Sequence, residues 1–565
     1  MRTMHLAIAV ILAFLILIPC GASAQHEVRV PPFIDGQIYL NDFIMGDTLA
    51  NGARRDSSAI YVLQRGGNYL CNVAIANVGW PVTLRANDTT GNVSDPIVYL
   101  YPGGTNQLPP GYFVNMRGDV DMKNIILSGY FEPIPDDLTG LQGSLIRTNA
   151  AGLNITLDHC LLTNTNGNHV RTDQAPHVVK ITNCLFANMG YLGRSNLGAG
   201  KGIDFRAGSV DSAIIVNNTF VNWQDRIVRH FSSTANIQYL RFEHNTCVNG
   251  MSYHGFLSLG RVGKKVIIDN NLLVDAFALG QDTDAVRQAE FTDSGELDSF
   301  GFPRMTWIFS VQNDSTQWSV KNNYYEVTAA GQAFYDSASI LPIVANPPLV
   351  PGSPLTYHIN GKLGADSATA FQTTSVSLPN VPNLMTEMMK WYRRPAAPPD
   401  TGAGKTKNTG AWKAQFDYDR RPVAYFRDTM DCAYSTSDPV YTAGTGGYPV
   451  GDLNWFPTKL TEWLGDPVSA VPSGTTMPAS YSLEQNYPNP FNPSTIIAFD
   501  VPKTSNVKVE VFDIIGRQVA TLVNGVVQAG SHTVTFNAAN LASGVYLYRL
   551  TSPTQVLTKK MMVLK

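Results

Sequence analysis

Ile155-Thr-Leu-Asp-His-Cys-Leu-Leu-Thr-Asn164 returns as Val179-Lys-Ile-Thr-Asn-Cys-Leu-Phe-Ala-Asn188 and again as Ala213-Ile-Ile-Val-Asn-Asn-Thr-Phe-Val-Asn222. Leu240-Arg-Phe-Glu-His-Asn-Thr-Cys-Val-Asn249 and Val266-Ile-Ile-Asp-Asn-Asn-Leu-Leu-Val-Asp275 carry the phrase on, at steps of 24, 34, 27 and 26 residues. Val320-Lys-Asn-Asn-Tyr-Tyr repeats its middle once more. A unit of this length that is β-branched, alternating and punctuated by Asn describes the coils of a parallel β-helix rather than a helical solenoid. His159, Asn183, Asn217, His244 and Asn270 share one place, and Cys160, Cys184, Asn218, Asn245 and Asn271 the next. Stacked amides both donate and accept along a stack. This column is therefore read as structural, its two histidines included.

A second column can be aligned with the first between Ser144 and Gly260. Its apolar members Ile146, Val170, Phe205, Val228 and Phe256 are expected to point inward. Period-two alternation then sends the following residues outward: Arg147, Arg171, Arg206 and Arg229, with Leu257 ending the run. The arginines step by 24, 35 and 23 residues, close to the first column. Like charges one strand spacing apart repel by roughly 1 kcal/mol per pair even in water. A polyanion laid along them would reverse that sign, because a guanidinium grips carboxylate or sulfate bidentately. An acidic polysaccharide is the expected partner, with Arg147, Arg171, Arg206 and Arg229 as substrate-binding candidates. The competing reading is a solvated face whose arginines pair with nearby acids.

If the chain is an enzyme, β-elimination at a uronate is the leading chemistry. It needs a cation at the carboxylate and a base for the adjacent C5 proton. His169 or Lys201 is the candidate base, and Arg171 with Arg206 the neutralising pair. Asp173 with Asp204 is the candidate ligand set for Ca²⁺. Hydrolysis of a neutral glycan would need two facing carboxylates, and carboxylate pairs are sparse here.

Composition bounds the alternatives. Charged residues make up 15% of 565, and formal net charge is -3, so nothing polybasic recommends nucleic acid. Arg2, the apolar run Leu6–Ile18 and Ala22-Ser23-Ala24 read as a signal peptide over 1–24. The run is too short to span a bilayer, and no later segment is apolar enough. Cys71, Cys160, Cys184, Cys247 and Cys432 remain, an odd number without metal-type spacing. Cys160 and Cys184 hold the same place in successive coils and are read as small buried apolar residues rather than a disulfide.

The chain divides into 25–330, a parallel β-helix with an N-terminal cap, and 331–465, the last coils and a packed tail covering the far end. Within the latter, 383–394 reads as one short helix. Pro, Ser, Gly and Thr mark a linker over 466–480. Residues 481–565 form a separate small β-sandwich of the Ig-like type, with alternating Val507-Lys-Val-Glu-Val-Phe-Asp, a hairpin turn at Gly516-Arg and strands from Gly530 and Gly544.

Asn486-Tyr-Pro-Asn-Pro-Phe-Asn-Pro-Ser-Thr495, Asp513 through Gly516, Gly544-Val-Tyr and the Lys559-Lys560 ending resemble the type A sorting domain of the type IX secretion system. That resemblance implies engagement with the type IX machinery, passage across an outer membrane, and an extracellular or surface location. The coils resemble the right-handed parallel β-helix superfamily. It includes pectate-lyase-like and alginate- or chondroitin-lyase-like enzymes as well as surface proteins without known activity. Gly446-Gly-Tyr-Pro-Val-Gly-Asp-Leu-Asn-Trp-Phe456 resembles the closing segment of some secreted β-helix proteins. Leu157-Asp-His-Cys160 and Phe242-Glu-His-Asn245 resemble short phrases of pectate lyases. No tryptophan precedes the first and no Arg-x-Pro-x-x-Arg follows the second, so no catalytic role is carried over. The expectation is an all-β chain, a right-handed parallel β-helix followed by a small sandwich, that binds or degrades polysaccharide. The alternative is a non-catalytic adhesin or rod.

Overall fold

The computed structural model describes residues within 26–332, 345–346, 357–381, 430–465 and 481–564. Left outside are 34–37, 88–92, 104–108, 130–142, 191–199, 277–280, 283–306 and 311–314, with 484, 487–488, 503–504, 528–529 and the single positions 166, 207, 233, 253 and 380. The expected signal peptide, the short helix at 383–394 and the linker at 466–480 therefore lie outside the described residues.

Three parallel sheets wrap one core. Among the described residues, the first sheet stacks ten strands from Glu27–Val30 to Gln317–Lys321, including Ile155–Asp158 and Val178–Thr182. The second stacks ten from Asn68–Cys71 to Phe371–Thr373, including Leu161–Thr165 and Leu185–Met189. The third stacks seven: Val114–Met116, Ser144–Thr148, Asn168–Thr172, Lys201–Phe205, Val228–His230, Leu257–Ser258 and Ile308–Phe309. A complete coil contributes one strand to each sheet, and each strand pairs in parallel with its equivalent in the next coil, which is the parallel β-helix. Coils begin earlier than the repeat does: Glu27, Ile60, Thr83 and Asp121 stand in one register line. Leu40 and Ile44 of the helix Leu40–Gly46 are buried in the same core.

The corners explain the recurring Asn. Between the first and second sheets, Asn124, His159, Asn183, Asn217, His244, Asn270 and Asn322 all have φ between 50° and 61°. That left-handed conformation is one that Asn, Asp and His tolerate better than other side chains, so His159 and His244 are conformational equivalents of Asn. The next place is the amide ladder. Asn245 Nδ2 donates to Asn271 Oδ1 (3.1 Å), while Asn245 Oδ1 accepts from the Asn218 amide side chain (3.0 Å). A further left-handed line, Asn164, Asn188, Asn222, Asn249 and Asp275, ends each repeated phrase. Its amides also bond from coil to coil, as Asn188 to Asn164 at 3.0 Å and Asn222 to Asn188 at 3.0 Å. The five cysteines among the described residues are buried, as the apolar reading of Cys160 and Cys184 requires.

Within 331–465, Phe371–Thr373 adds the last strand of the second sheet and Ile359 of the helix Tyr357–Leu363 is buried in the main core, while 430–465 runs along the side of the coils. Thr445 N donates to Asn270 Oδ1, Asp452 N to Thr246 Oγ1 and Asn454 Nδ2 to Asn217 O, at 2.9, 2.8 and 3.0 Å. Met430, Cys432, Tyr434, Val440 and Val450 cover an outward apolar stripe that includes Leu161, Leu185, Val248 and Leu272. Outward-facing apolar residues need such a cover. The helix Pro457–Gly465 then sets Trp463 against Ile214 and Val216.

Residues 481–564 make an antiparallel pair of sheets. One orders Ser482–Leu483, Ser494–Val501 and Gly530–Asn537; the other Gln518–Val527, Ser505–Phe512, Gly544–Thr551 and Val556–Val563. Their shared core holds Ile497, Phe499, Val509, Tyr548 and Met561, which fits a small sandwich. The hairpin at Gly516 (φ 82°) is closed by Asp513, whose Oδ1 accepts from the Arg517 backbone at 2.9 Å.

Candidate functional site

The outward line of the third sheet runs Asn115, Arg147, Arg171, Asp204, Arg229 and Ser258. This corrects the expected arginine ladder at one rung. Arg206 was aligned with Arg171, yet Arg171 pairs with Asp204 and Thr172 with Phe205. Val170 correspondingly faces Ile203, and Val228 faces Leu257 rather than Phe256. The two-residue slip at Arg206 preserves the alternation of faces, so the pattern alone could not reveal it, whereas the one-residue slip at Phe256 moves Leu257 from the outer to the inner face.

An acid inside the line changes its electrostatics. Asp204 is fully buried and takes Arg229 bidentately, Nε to Oδ1 at 2.6 Å and Nη2 to Oδ2 at 2.8 Å. Asn168 Nδ2 donates to the same Oδ2 at 3.2 Å. One rung group away, Asp173 binds both Arg147 and Arg171, the latter at 2.8 Å. Burial works against the Asp173 charge, but hydrogen bonds from Arg171 and Arg147 outweigh it and hold the carboxyl below its usual range. Asp173 and Asp204 are thus engaged by guanidinium groups and do not fit a calcium site. Among the described residues no group of three or more His, Cys, Asp and Glu converges as a metal site.

His169 is displaced from the expected role of base. It lies in the core line of Leu145 and Ile227, fully buried, edge-on to Phe186 at 5.5 Å, with neither ring nitrogen hydrogen-bonded. Burial alone pushes its pKa down to about 3. A side chain sealed in the core cannot reach a substrate on the outer face.

Lys201 stands differently. It begins the strand Lys201–Phe205, and its Nζ lies 2.8 Å from Asp225 Oδ2. Asp225 also takes Arg226 Nε at 3.1 Å and His254 Nδ1 at 2.6 Å. These groups stack on successive coils, since Asp225 N bonds Gly200 O (3.0 Å) and His254 N bonds Asp225 Oδ1 (3.3 Å). Gly200 (φ 84°) permits the approach, because a Cβ there would meet Gln224 Cβ at 2.6 Å. Burial lowers the Lys201 pKa; Asp225 opposes that, Arg229 and Arg226 add to it, and the group settles at about 8. Burial opposes the Asp225 charge, yet Arg226, Lys201 and His254 hold it well below the carboxylate range.

The cluster holds three cations, Lys201, Arg226 and Arg229, against two carboxylates, Asp204 and Asp225, with His254 bonded to the second. Side-chain exposure is 1% for Lys201, 0% for Asp225 and 10% for Arg229, so water does little to compensate the excess. Gln224 Oε1 and Asn168 Oδ1 beside it are buried acceptors without a hydrogen-bond partner among the described residues. On the surface nearby, Arg206 is exposed and lies 5.1 Å from the ring centre of Phe231, with Arg229 5.2 Å from the same ring. Phe231 is itself 63% exposed. Such an uncovered ring flanked by guanidinium groups offers a stacking face with adjacent charge.

The expected residues therefore divide. Lys201, Arg206 and Arg229 come into one neighbourhood, Arg147 and Arg171 are neutralised beside it, and His169 is inside the core. Sequence reasoning missed Asp225, Arg226 and His254, which sit immediately before the strand signals that were aligned, and Phe231 just after one.

Residues 485–564 match the family model described as a secretion system C-terminal sorting domain. No curated protein and no solved structure matches the chain. The sorting domain directs the protein to the extracellular space or the cell surface, and it implies engagement with the secretion machinery. Among the described residues, no helix is long and apolar enough to cross a membrane.

Proposed function

We propose that this exported β-helix cleaves an acidic polysaccharide by β-elimination, with the cluster around Lys201 as its reactive centre. The observation that carries the reading is the buried excess of cation over carboxylate at one place on the third sheet. Buried ionisable groups cost stability unless matched, and a strongly perturbed cluster of this kind is a functional-site signature. A uronate carboxylate would balance the cluster while Lys201 is protonated, and Lys201 must then give that proton to solvent before it serves as base.

In this reading Arg226 and Arg229, held in place by Asp225 and Asp204, neutralise the substrate carboxylate and so acidify C5. Lys201 in its neutral form accepts the C5 proton at Nζ, which requires the groups over it to part for the sugar, because its side chain is 1% exposed. The electron pair left behind forms the C4=C5 double bond, the C4–O bond breaks, and the departing oxygen takes a proton from water. A base near neutrality suits this work, and positioned proton transfer contributes about 10²- to 10⁴-fold. Arg206 and Phe231 would hold a neighbouring sugar. No metal is required by these residues.

The second reading, a non-catalytic rod, is favoured by Asp173, which neutralises Arg147 and Arg171 without any ligand. The two separate in one assay: formation of the ultraviolet-absorbing unsaturated uronate from pectate, alginate or chondroitin, by wild type and by Lys201→Met. Loss of product in the variant supports elimination. Absence of product from every polymer with the wild type supports the rod.

A further inference from the structure

A groove of about 990 Å³ opens on a different sheet, over the first coils, and the reading above does not use it. It runs across the outward face of the first sheet, where Arg29 pairs with Val62, Val62 with Arg85, and Arg85 with Lys123. Three cations and a valine thus occupy four consecutive rungs of one outward line. Rungs lie about 4.8 Å apart, so Arg29 and Arg85 are about 10 Å apart. Tyr61 and Leu63 belong to the core, whereas Ile60 and Val62 of the same strand face outward and floor the groove.

The lining charge is one-sided. Arg65 also lines the groove but is paired with Asp95, and Glu27 is the one acid among the lining residues. Arg29 is exposed and makes no ion pair among the described residues. Arg85 meets Asp121 at 3.2 Å with both side chains 39% exposed. Lys123 meets Asp158 at 3.0 Å, but Asp158 also bonds His159 and Asn183, at 2.9 and 2.7 Å. Half-exposed pairs of this kind are worth about 0–1 kcal/mol, so an incoming anion competes with them readily.

We infer that this groove is a binding site for a linear polyanionic glycan, whose carboxylates or sulfates meet Arg29, Arg85 and Lys123 while its sugar C–H faces rest on Ile60 and Val62. The geometry gives regularly spaced cations over an apolar floor, and an extended chain with an anion at regular intervals complements both features. Bidentate guanidinium contacts favour carboxylate and sulfate alike. The site is independent of the Lys201 cluster, which lies on another sheet.

The test is affinity electrophoresis and calorimetry of the full-length secreted protein with polygalacturonate, with chondroitin sulfate and with neutral dextran. The two polyanions distinguish carboxylate from sulfate as the recognised group. Arg29→Ala, which removes no ion pair among the described residues, and Arg29→Ala with Arg85→Ala are compared with Lys201→Met. The inference expects binding to at least one polyanion and none to dextran, weakened at least tenfold in the double variant and at least threefold in the single one. It also expects binding to weaken with added salt. Binding of neither polyanion, or unchanged binding in Arg29→Ala and the double variant, would overturn it. Binding abolished by Lys201→Met alone would transfer the site to the other sheet and also overturn it.

Discussion

Two buried bases in one strand pair show how little residue type says about role. His169 is the second residue and Lys201 the first of adjacent strands in the same sheet, yet one is a histidine in a core line and the other the centre of an ion cluster. Burying a polar group without a hydrogen bond costs about 1–3 kcal/mol. His169→Leu, which copies Leu145 one rung below, is therefore expected to stabilise the protein by about 2 kcal/mol. The folded pKa of His169 lies near 3, below the ~6.5 of an unfolded chain. The unfolded state holds more protons between those values, so this residue costs progressively more as pH falls from about 6.5 to 3. Denaturant melts should show the advantage of His169→Leu widening over that window. Lys201 obeys the same sign in an alkaline window. Its folded pKa of about 8 lies below the unfolded ~10.4. Wild type should gain on Lys201→Met as pH rises from about 8 to about 10.4, by at most about 1.4 kcal/mol per unit. A flat difference would show that Lys201 ionises normally.

At the scale of elements, the tail is the strap that fastens neighbouring coils. Asp452 Oδ2 accepts from Thr219 Oγ1 at 2.7 Å while its own amide donates to Thr246 Oγ1 at 2.8 Å, so one residue ties two rungs. Asp452→Ala is expected to lower stability by about 2 kcal/mol, since the Thr219 hydroxyl loses its acceptor in a buried place. Cys432 in the strap and Cys247 in the coil are buried, with thiol pKa values pushed well above the usual value, chiefly by burial. The same variant should speed their reaction with a thiol reagent at least tenfold, measured by mass shift under native conditions. The coils were legible in the sequence because Asn, His and Asp mark the left-handed corners, so the period and the stacking line can be read directly. Arg206 was misplaced for an equally physical reason: alternation has a period of two, and a two-residue slip leaves every face unchanged. The strap's path was illegible because its contacts, such as Asp452 with Thr219, join residues 233 positions apart with no periodic signal.

Across the whole molecule, delivery and chemistry are carried by separate parts. The sorting domain was legible because its motifs are local and contiguous, from Asn486 to Thr495 and through Asp513 to Gly516. Deleting 485–564 should retain the protein inside the producing cell, as read by immunoblot of culture fluid and by protease shaving of intact cells. Surface appearance of the truncated chain would remove the domain's role. The reactive centre was only partly legible. Lys201, Arg206 and Arg229 were named from one alignment, while Asp225 and His254 enter from the turns preceding their strands, where no repeat calls attention to them. What makes these residues a site is their convergence on successive rungs, a property of the stack rather than of any segment.

The most direct test is the initial rate of unsaturated uronate formation across pH 6 to 10 by wild type and Lys201→Met, on each acidic polymer in turn. With Lys201 as base, wild type yields product from at least one polymer, its rate climbs through a pKa of about 8, and the variant loses about 10²-fold or more. A wild type that forms no such product from any of them, or a variant that keeps the wild-type rate, contradicts the account.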